Sequence, residues 1–118
     1  MRVVEVFNRF FIGDNMKTMD ECIEFLCASD QPYADAKAKV KYLEKKLKVV
    51  KAKAFLAATG TGEVRKATSE VDPLHKEALE EYKDACLDME TLGVQRETIN
   101  IRIEIWRTKS ANSRKGNI

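Results

Sequence analysis

Apolar residues recur at three- and four-residue intervals along two long stretches of this chain. In the first, Tyr33, Ala36, Val40, Leu43, Leu47, Val50, Ala54 and Ala57 follow spacings of 3, 4, 3, 4, 3, 4, 3. That rhythm keeps one side of an α-helix apolar and is the signature of a heptad seam, so it predicts a helix over residues 31–59. In the second, Tyr82, Ala85, Met89, Leu92, Arg96, Ile99, Ile103 and Trp106 repeat the rhythm, with Arg96 as the polar member. Asp72 followed by Pro73 supplies a start signal, because proline lacks only an N–H that the first turn leaves unbonded anyway. A helix over 72–108 follows. Leu87, Val94 and Ile101, seven residues apart, form a further row on a neighbouring side, widened by Ile105. An apolar arc of that width calls for more than one partner helix.

Shorter elements flank these two. Thr18 with Glu21 three residues later has the capping-box spacing and opens a short helix to Ala28, with Met19, Cys22, Ile23 and Leu26 on one side. Ser29 and Asp30 are expected to interrupt it, Asp30 capping the long helix and Pro32 sitting in its first turn. Gly60-Thr61-Gly62 reads as the turn that ends that helix. Residues 1–12 are β-branched and aromatic, and a short strand or a short helix both fit them. Gly13-Asp14-Asn15 then breaks the pattern, and Met16 is a candidate translation start that would leave 1–15 as a flexible or non-native extension. Residues 109–118 read as a polar, basic, frayed tail.

At 1.5 Å per residue the long helices would be about 40 and 55 Å, so the longer overhangs and the short first helix can cover its C-terminal half. The expectation is one all-α domain over residues 1–118: an antiparallel helical hairpin or coiled coil, with a short N-terminal helix and an optional N-terminal strand. A hairpin this small encloses little core, which favours a homo-oligomer. Val40, Leu43, Leu47, Val50, Met89, Leu92, Ile99, Ile103 and Trp106 are its expected core and oligomerisation residues. Five Gly and two Pro among 118 residues agree with helix rather than turn-rich sheet.

The net charge of +2 is uninformative, but its distribution is not. Residues 31–60 carry eight Lys against Asp35 and Glu44, residues 61–95 carry nine acids against four bases, and residues 96–118 carry six bases against two acids. Basic and acidic stretches alternate. Cys22, Cys27 and Cys86 lack paired C-x-x-C spacing and fit reduced thiols in a cytoplasmic setting. No apolar run reaches the roughly 18 residues of a membrane span.

Candidate chemistry is sparse. His75 is the single histidine and has no ligand partners at metal spacing. The cysteines sit among apolar neighbours, and Cys22 and Cys27 point to different sides of a helix. The carboxylate pairs Glu77/Glu81, Glu80/Asp84 and Asp84/Asp88 lack the Glu-x-x-His of helical metal sites and read as a solvated side complementing the Lys-rich helix. The Gly60-Thr61-Gly62 turn lacks the Lys-Ser/Thr of a phosphate loop. These features point to a protein with no catalytic residues, metal or cofactor.

The lysines offer two readings. Lys39, Lys46 and Lys53 repeat every seven residues along one flank, and Lys41 and Lys48 form a parallel row. Lys37, Lys45 and Lys51 take other exposed positions. Evenly spaced cations can track a phosphate backbone by releasing counterions; they can equally be a solubilising surface neutralised by the acidic stretch. Tyr42, Phe55 and Trp106 are the candidate stacking platforms for a single strand, Phe55 the more exposed-looking of them.

The junction VVKAKAFLAATGTGEVRKATSEVD, a Lys-rich helix ending in small residues, a Gly-x-Gly turn and a basic-to-acidic second arm, resembles the UvsY-type phage recombination mediators. The ending IEIWRTKSANSRKGNI looks like the C-terminus of many small phage proteins. The resemblance covers roughly residues 35–90 in layout, and Trp106 to Lys115 has no counterpart in it. It implies a non-enzymatic protein of the bacterial host cytoplasm that binds single-stranded DNA and helps a recombinase displace single-strand binding protein, in recombination or replication. The cations it matches are Lys46, Lys48, Lys51, Lys53 and Arg65; with Lys39, Lys41 and Lys66 they make up the expected nucleic-acid-binding set. The rival expectations are a coiled-coil adaptor or inhibitor, or a phage assembly protein, with no nucleic-acid role.

Overall fold

The structure is a computed structural model that describes residues 18–116. The expected N-terminal strand and the extension over 1–15 lie outside the described residues. The described residues form three helices: α1 (Met19–Ala57), α2 (Gly62–Glu70) and α3 (Pro73–Gly116). The described residues include no strand, and α1 packs against α3 in a hairpin.

Helix α1 begins where its sequence signal lies. The Thr18 hydroxyl accepts the Glu21 N–H at 3.1 Å, and Asp20 and Glu21 stand at the positive end of the helix dipole. The expected interruption at Ser29 and Asp30 is absent: α1 is continuous, with Pro32 inside it. Asp30 is therefore not a cap, and Pro32 is not in a first turn. Their polar needs are met from α3 instead. Arg96 donates to the Leu26 carbonyl at 2.9 Å, to the Ser29 hydroxyl at 2.6 Å and to the Asp30 carboxylate at 2.6 Å. The Ser29 hydroxyl in turn donates to the Leu26 carbonyl.

Helix α1 ends at Ala57, slightly before the expected Thr59. Gly60 follows at φ 108°, a left-handed conformation that a side chain would strain. The next residues are not simply a turn. Thr61 accepts the Val64 N–H at 3.3 Å and caps α2, a nine-residue helix that the periodicity did not reveal because its composition, GEVRKATSE, has one large apolar residue. Asp72 then accepts the N–H groups of Leu74 and His75 and caps α3 as expected. Helix α3 continues to Gly116, so residues 109–116 are helix rather than frayed tail. No glycine or proline lies between Gly93 and Gly116, and Arg114 and Lys115 complement the negative end of the dipole.

The chain divides into two compact units, Met1–Ala34 with Glu90–Ile118 and Asp35–Met89. In the first, Cys22, Phe25, Leu92, Ile99 and Ile103 form a buried cluster against which Met19, Leu26 and Tyr33 pack. Phe25, Leu92 and Ile99 are fully buried, each worth about 1.5–3 kcal/mol of hydrophobic stabilisation. Phe25 lies beside the expected row, whereas Ile23, placed in it, is half-exposed. Gly93 gives Tyr33 room, since a Cβ there would stand 3.3 Å from the Tyr33 hydroxyl. In the second unit, Val40, Leu43 and Ala85 are the buried cluster, with Tyr82, Cys86 and Met89 against them. A hydrogen bond with the Cys86 thiol pushes the Tyr82 hydroxyl above its ordinary range.

Candidate nucleic-acid interface

The heptad that buries Val40 and Leu43 fixes where every lysine of residues 35–57 stands. Lys39, Lys46 and Lys53 flank the seam on the side of α3. There Lys46 meets Glu81 at 3.3 Å, and Lys39 borders a shallow pocket with Glu81, Asp84 and Asp88. On the opposite flank Lys51 approaches Glu70 of α2 at 3.8 Å. The acidic side of α3 thus complements part of the basic helix. These pairs are near half-exposed, and each contributes little to stability.

Arg65, expected to contact DNA, is occupied within the chain. It donates to the carbonyls of Phe55 and Leu56 at 3.2 and 3.4 Å and lies over the Phe55 ring at 4.7 Å. Those carbonyls belong to the last turn of α1, whose final C=O groups have no partner within the helix, so Arg65 acts as a C-terminal brace. Phe55 is half-buried beneath it, which overturns its reading as the exposed aromatic of this helix.

The outward side carries a different group. Lys41, Lys45 and Lys48 stand on successive turns and are exposed, and Tyr42 among them is 66% exposed. Tyr42 and Lys45 are three residues apart and hence neighbours on the helix surface. Val49 continues the Tyr42 row one heptad on and is also exposed. Lys45 belongs to this group although it stood outside the expected set; its position directly opposite the seam was the available signal. Lys53 and Lys66 are exposed as well. Of the expected contacts, Lys41, Lys48, Lys53 and Lys66 are therefore exposed, Lys39 is exposed at the rim of the pocket that Glu81, Asp84 and Asp88 share, Lys46 and Lys51 pair with acids, and Arg65 faces backbone.

The other unit holds a second aromatic. Trp106, expected in the core, is 54% exposed, because it lies past the last buried seam residue, Ile103. It borders a groove of about 240 Å³ with Met19, Cys22, Ile103, Arg102 and Lys109. Burial pushes the Cys22 thiol up, against the opposing effect of Arg102. Cys27 is exposed, on the other side of α1 as its spacing implied. His75 is half-buried in the first turn of α3. Among the described residues, no three His, Cys, Asp or Glu side chains gather as metal ligands, and no helix is long and apolar enough to cross a membrane.

No protein-family model, curated protein or solved structure matches the chain.

Proposed function

We propose that this chain is a non-enzymatic single-stranded-DNA-binding protein that assists recombination or replication of phage or prophage DNA in the cytoplasm of a bacterial host. The observation that carries the reading is the exposed Tyr42 set among the exposed Lys41, Lys45 and Lys48. The lysines would neutralise successive phosphates, and the tyrosine ring would stack on a base; together these are the two elements of sequence-tolerant single-strand binding. No base-reading group accompanies them, so binding would follow strand state rather than sequence. A recombinase or a single-strand binding protein would be the protein partner, in keeping with the resemblance to recombination mediators.

Fluorescence anisotropy with an unstructured single-stranded oligonucleotide, across a salt series, tests this. Three phosphate contacts predict a log–log salt slope of about −2. Lys41→Glu with Lys48→Glu should abolish most of the affinity, and Tyr42→Ala should weaken it about 5- to 150-fold, the equivalent of about 1–3 kcal/mol of stacking. Unchanged affinity in both variants would overturn the proposal.

A coiled-coil adaptor, inhibitor or assembly protein without nucleic-acid binding is the second reading. It is favoured by the exposure of Val94, Ile101 and Ile105 on α3. Complexes formed by that surface would respond little to salt.

A further inference from the structure

Helix α3 has a second seam. Arg96, Ile99 and Ile103 spend one side of the helix on α1, and the side directly opposite carries Thr91, Val94, Thr98, Ile101, Ile105 and Thr108, at spacings of 3, 4, 3, 4, 3. Val94 is 60% exposed, Ile101 53% and Ile105 50%, and Thr91, Thr98 and Thr108 are exposed too. All six lie within the unit that contains Glu90–Ile118. Every member is β-branched or threonine, so the strip is narrow, stiff and short of long polar side chains. In heptad terms Thr91, Thr98 and Ile105 take the a positions, and Val94, Ile101 and Thr108 the d positions.

The charges beside the strip select the occupant. Glu90, Glu97 and Glu104 line one edge, at g; Gln95, Arg102 and Lys109 line the other, at e. When two copies of this helix lie parallel and in register, each g residue meets the e residue five positions further on in the other copy. Glu97 then meets Arg102 of the second copy, Glu104 meets Lys109 of the second copy, and Glu90 meets the neutral Gln95. An antiparallel arrangement would instead set the glutamate edges against each other. Glu104 currently pairs with Arg107 at 3.7 Å with both side chains largely exposed, a contact that yields readily. The helix is already formed on the hairpin, so association carries no cost of helix nucleation.

We propose that the outer side of α3 between Thr91 and Thr108 is a parallel, in-register self-association surface, and that its partner is the same strip of further copies of this chain. The proposal is independent of the nucleic-acid reading, since Lys41, Tyr42 and Lys48 lie in the other unit. It also differs from the expectation that Val40, Leu43, Ile99 and Ile103 would bind neighbouring copies, because those side chains are buried within the hairpin.

Light scattering of the full chain across a dilution series, without DNA, reads the assembly directly. The parent should pass from the monomer mass to a multiple of it as concentration rises. Val94→Lys with Ile101→Lys should remain at the monomer mass with undiminished helical circular dichroism, since neither side chain is in the core. In a Cys27→Ser background, Thr98→Cys should form a disulfide-linked dimer on oxidation, because a parallel register sets the two copies of position 98 side by side. Asn100→Cys, two residues off the strip, should not. A parent that stays monomeric throughout, a lysine double variant that associates like the parent, or equal crosslinking at positions 98 and 100 would each overturn the proposal.

Discussion

Arg96 and Ser29 are the polar members of two apolar seams, and they meet: the guanidinium donates to the Ser29 hydroxyl at 2.6 Å, and the hydroxyl is buried. Each residue alone looks like a flaw in its heptad. Together they form a node in which Arg96 also holds the Leu26 carbonyl and Asp30 and lies over the Tyr33 ring at 5.4 Å. Truncating the arginine removes charge-assisted hydrogen bonds and leaves Ser29 buried against a cavity. Arg96→Ala should therefore lower stability by about 2–3 kcal/mol, read as the shift of the urea midpoint at constant slope. Arg96→Lys keeps the charge without the planar fork and should recover only part of the loss.

That node also explains how far the sequence could be read. The heptad of α1 does not begin at Tyr33. Met19, Cys22, Leu26, Ser29, Tyr33 and Ala36 hold the same 3, 4 alternation, so the periodicity runs through the expected break without a phase shift. Local propensity favoured a boundary, with serine and aspartate as cap formers and a proline just beyond them. The tertiary contact overrides it, because Arg96, 67 residues away from Ser29 along the chain, satisfies the turn from outside. The hairpin, the caps at Thr18 and Asp72 and most of the buried rows of both long helices were legible because they rest on local spacing; Phe25, beside the expected row, and Trp106, past its buried end, were not. Helix α2 was not, having too few apolar residues to show a period. The lysine rows were legible as rows. Which of them face acids depended on the register of α3 for Lys46 and on α2 for Lys51, which spacing within one helix does not encode.

Cys22 and Cys27 should separate by reactivity. Cys27 is exposed and Cys22 is buried, so a thiol-reactive dye should label Cys27 in the folded protein and Cys22 only as the first unit opens. The same burial fixes a pH dependence. The folded Cys22 thiol titrates above its unfolded counterpart, so the fold favours the protonated form. Its contribution is complete below the ordinary thiol value of about 8.5 and is lost as the pH rises through the higher folded value. Thermal melts between neutral and alkaline pH should show this loss. The alkaline decline should be smaller in Cys22→Ala, which has no thiol to ionise, even though that variant starts from a lower melting temperature.

The turn between α1 and α2 should be intolerant at Gly60 and less so at Gly62. Gly60 has a φ of 108°, and a Cβ there would stand 3.2 Å from a methyl of Val64. Gly62 has open space around it. Gly60→Ala should cost about 1–3 kcal/mol through backbone strain. Gly62→Ala, in the first turn of α2, should be neutral or slightly stabilising, because alanine loses less backbone entropy on folding than glycine. Paired thermal melts of the two variants give the comparison.

Pro32 and Arg96 should be energetically coupled. A proline inside a helix removes the hydrogen bond to the carbonyl four residues earlier, here Ala28, and pushes its ring against that carbonyl. The turn from Leu26 to Asp30 is thus the weakest of α1 in its own right, and Arg96 grips that turn at both ends. Pro32→Ala restores the missing donor. Its gain is partly offset by the greater freedom of the unfolded chain, so stability should rise by about 1–2 kcal/mol. In that background the helix no longer needs the external brace, and Arg96→Ala should cost less than it does in the parent. A double-mutant cycle should return a coupling of about 0.5–1 kcal/mol, within the range found for residues that share one network. Strict additivity would show that Arg96 serves only Ser29 and Asp30, and that the proline turn holds its shape unaided.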